Sequence, residues 1–142
     1  GGSEIRHSTY FAKRILVPLS PVNIVFYAGD NDLGAKRTPE QVRDDFAAFV
    51  KVIHAELPKT KIYWIPVKPS VKRWALYDKQ IIANALVKEI IDKDPLLKEV
   101  DVFKVHLGSD GKPDAKYFKD DGLHLNADGY AKWNEVVKAA LR

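Results

Sequence analysis

The sequence predicts an α/β protein built on a short parallel sheet. Strand-like apolar runs alternate with long amphipathic helical patterns, which implies right-handed βαβ crossovers. One run, "VNIVFYA" (Val22 to Ala28), is almost unbroken in its apolarity, as strands buried on both faces of a parallel sheet are. Polar loops leave the predicted strand ends, where open parallel sheets bind ligands.

The order is α-β-α-β-α-β-loop-α. From Ser3 to Leu16, residues Ile5, Thr9, Ala12 and Leu16 share one helical face, and Pro18 ends the pattern. The strand Val22–Ala28 follows, then the loop "GDNDLGAKR". Thr38, Pro39 and Gln41 form a capping box with proline at the first helical position. Val42, Phe46, Phe49, Ile53 and Leu57 continue that helix until Pro58. "KIYWIPV" (Lys61 to Val67) is a second strand, closed by Pro66, and "KPSVKRW" is a loop. Leu76 to Asp94 is a helix with Ile82, Leu86 and Ile90 aligned. "VDVFKV" (Val100 to Val105) is the expected third strand, and Gly108 to Leu125 is a long polar loop. Asn126 caps the last helix, whose inward face is Tyr130, Trp133, Val137 and Leu141.

A length of 142 residues fits one domain with a real core. Net charge is +4, with lysines scattered rather than clustered. No basic run with interleaved aromatics marks a nucleic-acid partner. No apolar run approaches the roughly 20 residues needed to span a bilayer; a soluble protein is expected, and the lack of cysteine fits cytosol or periplasm without deciding between them. The absence of cysteine excludes disulfides, thiolate nucleophiles and Cys-ligated metals. There is no glycine-rich phosphate loop, and no cofactor is implied.

The chemistry concentrates in "GDND" (Gly29 to Asp32), "KPSVKRW" (Lys68 to Trp74) and "DDGLHLN" (Asp120 to Asn126). Asp121 and His124 lie three apart, so the carboxylate can hold one imidazole nitrogen and leave the other free as a base. Taken alone, the motif also fits a surface pair before a helix, the commoner outcome for so short a pattern. Asn31 can donate its amide to an oxyanion, with Gly29 turning the backbone after the strand. The same residues fit a turn with no function. Asp30 and Asp32 lack the spacing of a full Ca²⁺ loop. His54 reads as structural or partly exposed, and His106 as a neighbour of the site at most. Tyr63, Trp64 and Trp133 read as core, and Trp74 equally as core or as substrate wall.

Together, "GDND", "KPSVKRW" and "DGLHLNADGY", in order and over essentially the whole chain, resemble the SGNH (GDSL-type) ester hydrolases. The resemblance implies a flavodoxin-like three-layer αβα fold. It also implies carboxylic ester hydrolysis. Asn31 matches the oxyanion donor of the family's G-x-N-D block. His124 and Asp121 match the base and orienting acid of its D-x-x-H block. Gly2, in "GGSEI", matches the oxyanion glycine of the second block. The first block, with the nucleophilic serine, has no match. The expectation is therefore a single domain over 1–142, N-terminally truncated and reduced to a three-stranded parallel sheet with flanking helices. The nucleophile would be a displaced serine, Ser3 foremost, or an activated water. A small acyl ester is the expected substrate. The alternative is a catalytically impaired binding or assembly domain whose nucleophile is missing or lies on another chain. The edge of strand 22–28 would be bare. A homodimer, or a chain supplying the missing N-terminal part, is expected to cover it.

Overall fold

A computed structural model describes residues 1–142. Its sheet has three parallel strands, β1 (Asn23–Phe26), β2 (Lys61–Trp64) and β3 (Leu97–Glu99), in that spatial order. Ile24 lies opposite Ile62, and Ile62 opposite Leu97. The α-helices are α1 (Ile5–Ile15), α2 (Asp30–Gly34), α3 (Pro39–Glu56), α4 (Tyr77–Ile91) and α5 (Ala127–Ala140).

Strand alternation divides the core into two layers. Ile24, Phe26, Ile62 and Trp64 pack against Ile5 and Ala12 of α1, Phe46 and Phe49 of α3, and Ala83 and Val87 of α4. Phe26 stacks on Phe49 with ring centroids 4.1 Å apart. Tyr63 and Ile65 point the other way, onto Val100, Val102, Phe118, Leu125 and Trp133. The helices thus flank both faces, as the α/β class requires, but α5 is the only long helix on the second face. α3 begins as its residues dictate: Thr38 accepts from the Gln41 backbone N–H and the Gln41 side chain accepts from the Thr38 N–H.

Four expectations need correction. β1 is not buried on both faces, because Val22 and Val25 are 76% and 42% exposed. On the second face α5 is the only long helix, and its Trp133 meets Tyr27, one residue past β1, edge-on. The third strand is Leu97–Glu99 rather than Val100–Val105. It starts straight after the Asp94 turn, where the carboxylate accepts the Leu96 N–H. Val100 adds one more ladder bond, to the Trp64 carbonyl. Asp101 then accepts the Phe103 N–H and turns the chain out of the sheet. On α4 the buried stripe is Gln80, Ala83, Val87 and Ile91, one position round from Ile82, Leu86 and Ile90. Gln80 and Asn84 set that rotation by bonding the backbone of Lys68 and Val67, which left the sheet at Pro66. On α5 Trp133 is buried, but Tyr130 and Leu141 are exposed, since nothing packs outside them.

Candidate active site

The loops after β1 and β2 and the segment before α5 converge on one cavity of about 440 Å³ at the carboxyl end of the sheet. Its lining includes Gly2, Ser3, Asn31, Lys68, His124 and Trp133. Asp121 stands behind His124.

Each residue of "GDND" has a distinct partner. Gly29 turns the chain at φ 112, and a Cβ there would meet Val67 Cγ2 at 2.8 Å, so both backbone and space demand glycine. Asp30 ion-pairs with Arg73, Oδ2 to Nη1 2.7 Å. Asn31 donates its Nδ2 to the Ser3 carbonyl at 3.0 Å and accepts from Arg73 Nη2 at 3.1 Å. Asp32, fully buried, accepts the Ile5 N–H and so caps the start of α1. Burial raises the Asp32 pKa. These contacts fasten Ser3, and with it Gly2 (φ 81), beside Asn31. No three or more acidic or histidine side chains gather as a metal-ligand set.

The Asp121–His124 half is local. Asp121 Oδ1 accepts the backbone N–H groups of Leu123 and His124, both at 2.9 Å, and Oδ2 lies 2.6 Å from His124 Nδ1. The bond to the His124 ring, reinforced by the two backbone N–H groups, holds the Asp121 carboxyl far below the usual carboxylate range. An ionised acceptor places the proton on Nδ1. Nε2 is then the unprotonated nitrogen, and it makes no hydrogen bond within the chain. Lys68 steadies the segment by donating to the Leu123 carbonyl at 3.0 Å. Its ammonium is buried over the Phe118 ring, and desolvation lowers its pKa.

The cavity brings together Gly2, Ser3, Asn31 and His124, and Asp121 touches His124. Trp74 does not line it; the ring packs on Tyr77, which corrects the substrate-wall alternative. His106 is buried and bonds the Gly129 carbonyl through Nε2 at 2.8 Å. His54 bonds the Thr60 carbonyl, and His7 accepts the Glu4 N–H through Nδ1. All three are structural. Lys68 and Arg73 were missed as individual residues. The available signal was a lysine and an arginine in a loop at a parallel strand's carboxyl end.

A carboxylate–imidazole pair facing a side-chain amide, across a cavity at the end of a parallel sheet, is an arrangement that acyl-transfer chemistry can use. The chain belongs to the GDSL-like lipase/acylhydrolase family, whose sequence pattern matches residues 2–132. Among curated proteins no sequence matches it. The fold is that of several solved structures. A GDSL-like lipase from Bacteroides thetaiotaomicron superposes with TM-score 0.80 at 21% identity, over 99% of this chain and 71% of that one. A carbohydrate esterase of family 3 from Talaromyces cellulolyticus gives 0.83 at 14%, over 99% and 67%. The OSK domain of Drosophila Oskar gives 0.82 at 18%, over 100% and 72%.

Proposed function

We propose that the chain hydrolyses small acyl esters, short acyl esters or acetylated sugars foremost. The observation that carries this reading is the 2.6 Å contact of Asp121 with His124 Nδ1, beside a cavity that also holds Asn31 and Gly2. His124 Nε2 takes the proton of the attacking hydroxyl, from Ser3 or from water. The oxygen adds to the ester carbonyl, and the carbonyl π pair moves onto its oxygen. Asn31 Nδ2–H and the Gly2 N–H stabilise that oxyanion. On collapse the C–O bond to the alcohol breaks, and His124 returns the proton to the leaving alkoxide. If Ser3 attacked, water repeats the cycle on the acyl-serine.

Fluorophosphonate labelling read by mass spectrometry, with p-nitrophenyl acetate turnover, tests this. One labelled serine, lost in His124→Ala, supports a serine nucleophile. Turnover above the His124→Ala control without a label supports water. Neither label nor turnover defeats the reading.

A second reading, an assembly domain with the nucleophile elsewhere, draws on a different observation. Tyr10, Ile15, Leu19 and Val22 are 57–80% exposed, and β1 is an edge strand. Beside β1 runs a groove of about 440 Å³ over Phe11, Val25 and Phe49. A second copy pairing along β1 would cover that edge and give a symmetric dimer. Light scattering of a 16.0 kDa species at micromolar concentration would rule the dimer out.

A further inference from the structure

We infer that Arg73 is a positioning residue that sets which end of the Asn31 amide faces the cavity. The oxygen and nitrogen of an asparagine side chain are nearly equal in size, and only their partners fix which way the group turns. Arg73 has donors only, and its Nη2 lies 3.1 Å from Asn31 Oδ1. The Ser3 carbonyl accepts only, and lies 3.0 Å from Nδ2. The two contacts select one orientation, with the oxygen toward Arg73 and the NH₂ toward Ser3 and the cavity. One N–H is used by Ser3, and the other remains for a ligand oxygen. In the flipped amide the carbonyl oxygen would face the cavity, where it repels an oxyanion instead of stabilising it.

Arg73 is itself fixed from three sides. Asp30, the neighbour of Asn31 in sequence, pairs with Nη1 at 2.7 Å. Ser70, fully buried, accepts the Arg73 backbone N–H at 3.3 Å. The guanidinium lies flat on Gly34, where a Cβ would come within 2.9 Å of Cζ and Nη2. Gly34, Asp30 and Ser70 thus hold an arginine whose side chain is only 19% exposed. A lysine has neither the planar fork nor the reach to two acceptors.

The catalytic part of this inference rests on the ester-hydrolase reading; the orientation of Asn31 does not, and the test separates them. In ¹⁵N–¹H spectra of the whole chain, the Asn31 NH₂ pair is the one lost in Asn31→Ala. In Arg73→Ala and Arg73→Lys that pair is expected to shift and broaden, while the His124 ring nitrogens keep their wild-type shifts. Gly34→Ala, which keeps the arginine but displaces its guanidinium, should move the same pair, and it serves if Arg73→Ala fails to fold. In p-nitrophenyl acetate turnover, Arg73→Ala and Arg73→Lys should lower kcat about 10- to 100-fold with little change in KM. Arg73→Ala should lower kcat no further in an Asn31→Ala background. An unmoved Asn31 NH₂ pair in all three variants overturns the inference, as does an undiminished Arg73→Ala effect without Asn31. A wild-type chain without turnover defeats the ester-hydrolase reading alone, and the spectra then decide the role of Arg73.

Discussion

The two halves of the site are built differently. The half proposed to act as base, Asp121 with His124, closes within four residues, and its side chains are 41% and 61% exposed. The amide half, Asp30 to Asp32, is held by partners far away in sequence: Ser3, Ile5 and Arg73. An Asx-type turn can orient an imidazole without help from the core. An amide that must present one N–H in one direction needs both ends anchored, and those anchors arrive from other elements. The base half is therefore expected to be tuned by single local residues, and the amide half to be coupled to folding.

The largest effect on chemistry is expected on the base side. His124→Ala should reduce ester turnover by about 10³-fold or more, and Asp121→Asn by a comparable factor, as in serine hydrolases with the same pairing. His124→Ala should leave the melting temperature nearly unchanged, since its side chain lies at the surface, while Asp121→Asn should lower it slightly, since an amide oxygen still accepts the two backbone N–H groups but the charged bond to the ring is lost. Asn31→Ala should cost about 10²–10³ in kcat. It should also destabilise by about 0.5–1.5 kcal/mol, because the Ser3 carbonyl and the part-buried Arg73 lose a partner. Kinetics and thermal melts on the three variants give the contrast directly. If His124→Ala destabilises more than Asn31→Ala, the division between a local and an anchored half collapses.

Gly29→Ala sharpens the same point without touching a reacting group. It places a methyl on Val67 and forces φ 112 on an L-residue, at a cost of about 1–3 kcal/mol. Denaturant melts should show the loss, and kcat should fall because the whole amide loop moves.

The smallest effects lie in pH. Acid does not release His124 from its partner, because the Asp121 carboxyl titrates far below the usual range. The Asp121 contribution to stability is complete above the unfolded carboxylate range, and it fades only as pH falls toward the folded value. His106 behaves in the same sense at higher pH. Burial lowers its pKa, so its contribution is complete above the unfolded value of about 6.5 and is lost as pH falls from there through the folded value. Thermal melts from pH 7.5 to 5 should drift downward in the wild type and less in His106→Gln. A flat wild-type profile would mean that His106 protonates without penalty.

The same contrast governs what the sequence discloses. Asp121–His124 is legible because its geometry is complete within D-x-x-H, and the Thr38–Gln41 cap is legible for the same reason. Asn31 is legible as a residue, but its anchor Arg73 is not, since 42 positions separate them. β1 and β2 are legible from their apolarity. β3 is not, because "VDVFKV" has strand composition, while Asp94 and Asp101, through side-chain bonds to the backbone, decide where the chain enters and leaves the sheet. The rotation of α4 depended on Gln80 and Asn84, which a count of apolar positions treats as outward-facing.

The junction of α5 with the loop before it has a mechanical consequence. His106 grips the Gly129 carbonyl, the Asn126 side chain holds the Gly129 N–H, and a Cβ on Gly129 would collide with the Tyr117 carbonyl. The first turn of the helix is therefore clamped next to His124, while its last residues, Lys138 to Ala140, are exposed. Fraying should begin at the exposed carboxyl end of the helix and stop before that clamp, leaving a graded pattern of amide exchange along α5. The imidazole is insulated from the loosest end of the helix that follows it.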